Sequence, residues 1–176
     1  MSDQTRPTSE RVREALGSAL HARDLIEGRR VLDLFAGTGA MAFELLSRGA
    51  REAVLVESDR RAVQALRASA EALGLDDRVV VVRGDGFQRL PEGVFDLVFL
   101  DPPYSNVGRL GEVLRGLAAG ALGEDAAVVI EHLTREPPPP PDRETGLACV
   151  ATYKYGDTSL TLLQRDSPTD PPTDSS

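Results

Sequence analysis

Cysteine is nearly missing from this chain: Cys149 has no second cysteine to pair with, which excludes an internal disulfide and any cysteine-built zinc cage. Histidine is almost as scarce. His21 and His132 lie far apart, so no metal motif can be read, and both are expected to be solvated or helix-end residues. No apolar run approaches the ~20 residues of a membrane span. The opening MSDQTRPTSERVREAL lacks the apolar core of a signal peptide. The expectation is a cytoplasmic protein with neither a membrane nor a metal as partner. Basic charge is also short, with 20 Lys and Arg against 28 Asp and Glu and a net charge of −8. That argues against strong sequence-independent binding to naked nucleic acid, which depends on Lys and Arg neutralising phosphates.

What is present is ordinary for a globular protein: 41% hydrophobic and 27% charged residues. A chain of 176 residues makes one domain, with room for a sheet covered by helices on both faces. Residues 1–8 read as a polar lead, 9–165 as the domain, and the Pro, Asp, Ser and Thr of 166–176 as a disordered tail. Val12, Leu16 and Leu20 recur every four residues and predict a helix over Ser9–Ala22. Strands are predicted at Arg30–Phe35, Ala53–Glu57, Val79–Arg83, Phe95–Leu100 and Ala126–Glu131, with helices at Ala40–Arg48, Arg60–Leu73 and Val107–Ala119. Runs such as VLDLF and FDLVFL suit strands buried on both faces, and the alternation reads as a doubly wound, mostly parallel α/β domain. Pro137–Pro141 reads as an extended connector. LACVATYKY and TSLTLLQR flank Gly156-Asp157 and predict a C-terminal antiparallel hairpin that closes the sheet.

Chemistry concentrates where strands are predicted to end. In VLDLFAGTGAM, a strand runs into a glycine turn and then a helix. Gly37 and Gly39 permit positive φ and close approach of a ligand, and the helix N-terminus offers N–H groups to an anion. Asp33 is placed to accept hydrogen bonds from loop amides or a ligand ammonium. GTGAMA alone also matches a dinucleotide fingerprint, and Glu57, placed for a ribose, fits either nucleotide class. Asp85, with the amides after it, can read an adenine edge. The discriminating element is Asp101-Pro102-Pro103-Tyr104. Two prolines hold an extended turn, leaving the Pro102 carbonyl and the Asp101 carboxylate as acceptors for the two hydrogens of an exocyclic amine, while Tyr104 offers a ring for a flipped base. An NAD-dependent oxidoreductase would need a catalytic acid that does not stand out here. A non-catalytic binding module would have no use for the DPPY turn.

LDLFAGTGAM, VESD, GDGF and LDPPY together resemble the S-adenosylmethionine-dependent amino-methyltransferases of DNA and RNA bases. RPTSERVREAL and the Ser-Arg-Gly-Ala ending of Leu45–Ala50 are similar to the small bacterial 16S ribosomal RNA guanine-N(2) methyltransferases. The resemblance implies a Rossmann-like methyltransferase fold with S-adenosyl-L-methionine as cofactor. It places Asp33, Phe35, Gly37 and Gly39 on the methionine part, Glu57 on the ribose, Asp85 and Gly86 on the adenine, and Asp101, Pro102, Pro103 and Tyr104 on the target base. Arg6, Thr8 and Arg11 match the opening segment and are expected near the methionine carboxylate or a phosphate, with helix capping by Thr8 or Ser9 the alternative. The implied partner is 16S rRNA within the small ribosomal subunit or an assembly intermediate; a DNA or RNA adenine or cytosine amine is the rival target. Members of that family carry a basic extension before the Arg-Pro-Thr segment, where much of the RNA grip is expected. Here five residues precede Arg6.

Overall fold

Apolar runs too short for buried helices pair side by side, and the helices between them return the chain to the starting edge. A computed structural model describes residues 10–165; the lead with Arg6 and Thr8, and the tail from Asp166, lie outside the described residues. The elements are α1 (Glu10–His21), β1 (Arg30–Asp33), α2 (Ala40–Ser47), β2 (Glu52–Glu57), α3 (Arg60–Ala72), β3 (Val79–Arg83), β4 (Phe95–Leu100), α4 (Leu110–Ala118), β5 (Leu122–Leu133), β6 (Leu147–Tyr155) and β7 (Thr158–Arg165). They form a seven-stranded sheet of order β3-β2-β1-β4-β5-β7-β6. β1 to β5 are parallel, and β7 runs antiparallel between β5 and β6. Among the described residues no helix is long and apolar enough to cross a membrane.

Side-chain alternation splits the core in two. On one face Val12, Leu16 and Leu20 of α1 pack with Leu45, Leu66, Leu97, Val129, Leu160 and Leu162. On the other, Leu110, Val113, Leu114 and Leu117 of α4 cover Leu32, Val54, Val98, Ile130 and Leu163. The sheet is thus wound on both faces, as the strand–helix alternation predicts.

Three expectations change. The helix predicted over Val107–Ala119 is a 3-10 turn at Tyr104–Arg109 followed by α4. Gly108 weakens helix there, and the four residues α4 buries begin only at Leu110. β5 outgrows Ala126–Glu131 at both ends, because Leu122 pairs with Phe95 and Leu133 with Thr158, contacts no local pattern reveals. His132 is neither solvated nor at a helix end. It is 3% exposed within β5; its Nδ1–H donates to the Leu133 carbonyl at 2.8 Å, and its Nε2 accepts from the Thr161 hydroxyl at 2.8 Å. His21 does end α1.

Candidate active site

In an open α/β sheet, ligands collect beyond the carboxyl ends of the strands, at the point where strand order reverses. Here that point lies between β1 and β4. The glycine turn leaves β1 and the DPPY turn leaves β4, so the sheet brings together two segments more than sixty residues apart.

The glycine turn is built by its backbone. Gly37 and Gly39 adopt φ of +55° and +77°, and the Gly39 N–H donates to the Ala36 carbonyl at 2.8 Å. A Cβ at Gly39 would stand 2.5 Å from Leu66 Cδ2 and 2.8 Å from Phe43 Cε2, whereas one at Gly37 would enter open space. Gly39 therefore serves packing, and Gly37 keeps room in front of the turn. α2 begins at Gly39 without a side-chain cap, in contrast to α3, where Asp59 accepts from the Ala62 N–H at 2.8 Å. Glu57 Oε2 accepts from the Gly37 N–H at 2.8 Å and its Oε1 from the Asp59 N–H at 2.9 Å. Glu57 thus fastens the glycine turn of β1 to the end of β2, a task that sequence spacing does not suggest.

Asp85 Oδ1 accepts from the Phe87 N–H at 2.9 Å, so this amide is engaged within its own loop. Phe35 lies with its ring 4.7 Å from that of Phe87, and the Arg109 guanidinium covers Phe87 at 4.6 Å. A Cβ at Gly86 would meet the Leu34 carbonyl oxygen at 2.5 Å and the Phe35 ring at 3.0 Å. Phe35, expected beside the methionine part, is therefore placed against Gly86 and Phe87, the loop expected to meet adenine. Phe87 was not among the expected site residues, and an aromatic one residue past Gly86 is the signal that could have found it; that Arg109 covers its ring is visible only in the folded turn.

Asp101 ends β4, followed by buried Pro102, exposed Pro103 and a Tyr104 that is 51% exposed. The 3-10 turn opens on the Pro103 carbonyl, which accepts from the Asn106 N–H at 2.9 Å, so helical bonding starts one residue after Pro102. Arg11 is exposed in the first turn of α1. Among the described residues no three His, Cys, Asp or Glu side chains converge closely enough to hold a metal ion.

The carboxylates of this edge are held under strain of charge. Asp33 aligns with Phe99 of β4, and Phe99 with Val129 of β5. Two residues further along, on the same face, come Asp101 and Glu131. Burial pushes the Asp33 carboxyl up to about 7, against a bond from the Phe35 N–H that lowers it, with Glu57 and Glu131 adding repulsion. Burial pushes Asp101 up to about 8, reinforced by Glu131 and then Asp33. Glu131, 7% exposed, is the acidic residue the sequence did not announce.

Both carboxyls hold their protons more tightly folded than unfolded, so their contribution to stability is present at low pH and lost as pH rises through about 7 and 8. The unliganded protein should lose stability steadily as pH rises from about 4 to 8, by up to about 1.4 kcal/mol per pH unit for each group, a melting drop of several degrees or more. Asp101→Asn should remove much of that slope. Melting temperatures that stay flat or rise over this window would contradict the burial of these groups as described.

The chain is similar to proteins already known. Residues 1–164 match the model of a family described as Conserved hypothetical protein 95. YlbH of Bacillus subtilis, provisionally named an rRNA methyltransferase, is 34% identical over 138 residues, covering 73% of this chain and 71% of its own length. Ribosomal RNA small subunit methyltransferase D of Escherichia coli K12 is 37% identical over 128 residues, covering 72% of this chain and 63% of the relative. The solved structure of Escherichia coli yhhF, provisionally named a methyltransferase, superposes with a TM-score of 0.80 at 29% identity, over 92% of this chain and 89% of that one.

Proposed function

Because this chain belongs to the Conserved hypothetical protein 95 family, we propose that it transfers a methyl group from S-adenosylmethionine to an exocyclic amine of a ribosomal RNA base. Guanine N(2) of 16S rRNA is the target the reading favours. The observation that carries it is the DPPY turn beside the glycine turn at the sheet's switch point, with methyltransferase names among the relatives in support.

The residues suit the cofactor. The open space at Gly37, the uncapped start of α2 and the carboxylate of Glu57 offer, in turn, room, amides for the methionine carboxylate and acceptors for the ribose hydroxyls. Asp33 is placed to meet the ammonium. Phe35 and Phe87 supply an apolar wall for adenine, with Asp85 and Gly86 at its edge. When bound, S-adenosylmethionine supplies a methyl group already made electrophilic by its sulfonium. The protein's own work is to aim and dehydrate the attacking amine. Asp101 and the Pro102 carbonyl take the amine hydrogens, leaving the nitrogen lone pair aimed at the methyl. Tyr104, half exposed, stacks on the base once it swings out of its helix.

A net charge of −8 shapes the choice of substrate. Arg6, Arg11, Arg13 and Arg109 can neutralise only a few phosphates, so binding should depend weakly on salt, with a slope of about −1 to −3 in log K against log salt. Assembled small subunits or assembly intermediates, whose proteins add basic surface, are the expected substrate. Label from the cofactor should enter these well above a bare 16S transcript at matched RNA concentration and two salt levels. Equal labelling of bare transcript with steep salt dependence would remove the subunit from this reading.

A further inference from the structure

Resting on the methyl-transfer reading above, we propose that Arg109 is a positioning residue: laid over the Phe87 ring, it braces the turn that follows DPPY against the loop expected to meet adenine. The brace joins parts of the chain that the sheet keeps apart. In the order β3-β2-β1-β4, two strands separate the loop after β3 from the turn after β4. Gly86 lets the loop cross that gap, because a Cβ there would stand 2.5 Å from the Leu34 carbonyl oxygen and 3.0 Å from the Phe35 ring. With the backbone this close, the Phe87 ring settles 4.7 Å from that of Phe35, tilted by 47°. The Arg109 guanidinium lies 4.6 Å from the Phe87 ring centre, within reach of the ring's electron-rich face.

The turn is of a kind that such a brace can steady. None of its residues, Tyr104–Arg109, is buried. The Asn106 N–H donates to the Pro103 carbonyl at 2.9 Å, and the Leu110 N–H to the Val107 carbonyl. Bonds of this 3-10 geometry are poorer than those of an α-helix. Val107 rests, partly buried, on the core cluster that α4 covers, and Phe35 and Phe87 rest on the same cluster. Arg109 thus ties the exposed end of the turn to a ring already seated against the core. Tyr104 stands at the other end of the same six residues, so a loosened Arg109 end lets the platform for the base drift from the donor. Misplacement on the ångström scale is enough to slow a reaction that depends on alignment.

Stacking engages the face of the guanidinium, and a neutral ring does not cancel its charge. Arg109 therefore braces the turn and can meet a phosphate with the same side chain. Removing Arg109 mixes the two roles; removing the Phe87 ring, with the cofactor saturating, acts on the RNA side through the brace. An exposed contact of this kind supports a change of about two- to fivefold.

A double-mutant cycle of Phe87→Leu and Arg109→Ala in the full chain isolates the pair. Two quantities are read well below the melting temperature of every variant. The first is hydrogen exchange at the Asn106 and Leu110 amides without ligand, which reports opening of the turn. Each single variant should speed it about two- to fivefold, and the double variant no further than the faster single. The second is kcat/KM for small subunits at saturating S-adenosylmethionine. Phe87→Leu should lower it by a similar factor, and the loss caused by Arg109→Ala should shrink in the Phe87→Leu background. Phe87→Tyr keeps a ring for the cation and should behave as the natural protein in both. Turn exchange unchanged by Phe87→Leu, or losses that simply multiply in the double variant, overturns the proposal. If Phe87→Leu fails to fold, unchanged turn exchange in Arg109→Ala overturns it alone. Transfer of no methyl group to any RNA would sink the methyl-transfer reading, while the exchange cycle would still decide whether Arg109 holds the turn.

Discussion

Asp101→Ala is expected to lower methyl transfer by roughly 10²–10³-fold, the range for losing one placed electrostatic partner of a reacting group. Affinity for S-adenosylhomocysteine near neutral pH should stay largely intact. The two halves of the site are built from different strands. Asp101 sits on β4 and meets the target amine, while the acceptor set for the cofactor comes from β1, β2 and the loop after β3. A group that acts on the amine in flight changes the rate of the chemical step more than binding. Asp101→Asn keeps one acceptor oxygen and should recover part of the loss. Tyr104→Phe should recover most of the activity that Tyr104→Ala removes, because the ring stacks and the hydroxyl is given no chemical part. A phenylalanine variant as inactive as the alanine one would remove stacking from the account.

The second large effect falls on stability. Gly39→Ala asks an L-residue to hold φ of +77° and drives its Cβ into Leu66, Phe43 and Leu55, all at or within 3.2 Å. Left-handed backbone costs about 1–2 kcal/mol and overpacking typically 1–3 kcal/mol. The sum, about 2–5 kcal/mol, should lower the melting temperature by roughly 4–20 °C in a domain of this size. Gly37→Ala, two residues earlier, meets only the backbone penalty because its Cβ would stand in open space. It should melt within a few degrees of the natural protein and lose cofactor affinity, since the methyl occupies the room in front of the turn. Reversed effects at the two glycines would show that packing and ligand roles were assigned the wrong way round.

Much of this was legible along the chain because strands buried on both faces betray themselves as apolar runs. VLD, AVLVE, VVVVR and FDLVFL became β1 to β4 with boundaries within a residue or two, and the hairpin at Gly156-Asp157 formed as its turn residues predict. The place of the hairpin was less plain, although a sign was present. SLTLL of β7 is buried throughout, as an interior strand must be, while β6 alternates as an edge strand does. Glu131 could not be read at all. It follows VVI as any strand-ending polar residue might, and only the pairing of Leu100 with Ile130 shows that it neighbours Asp101. His132 misled for the same reason, since its partner Thr161 lies on a strand added later in the chain. Glycines and the DPPY turn announce themselves by local conformation; residues that act through a neighbouring strand do not.

Which atom is methylated can be measured directly. Small subunits lacking this methyl group, incubated with the protein and methyl-labelled S-adenosylmethionine, are digested to nucleosides and analysed by mass spectrometry. Label is expected in N(2)-methylguanosine from 16S rRNA, and nearly none with Asp101→Ala. Label in an adenine or cytosine amine, or on a ring carbon or ribose, would contradict it.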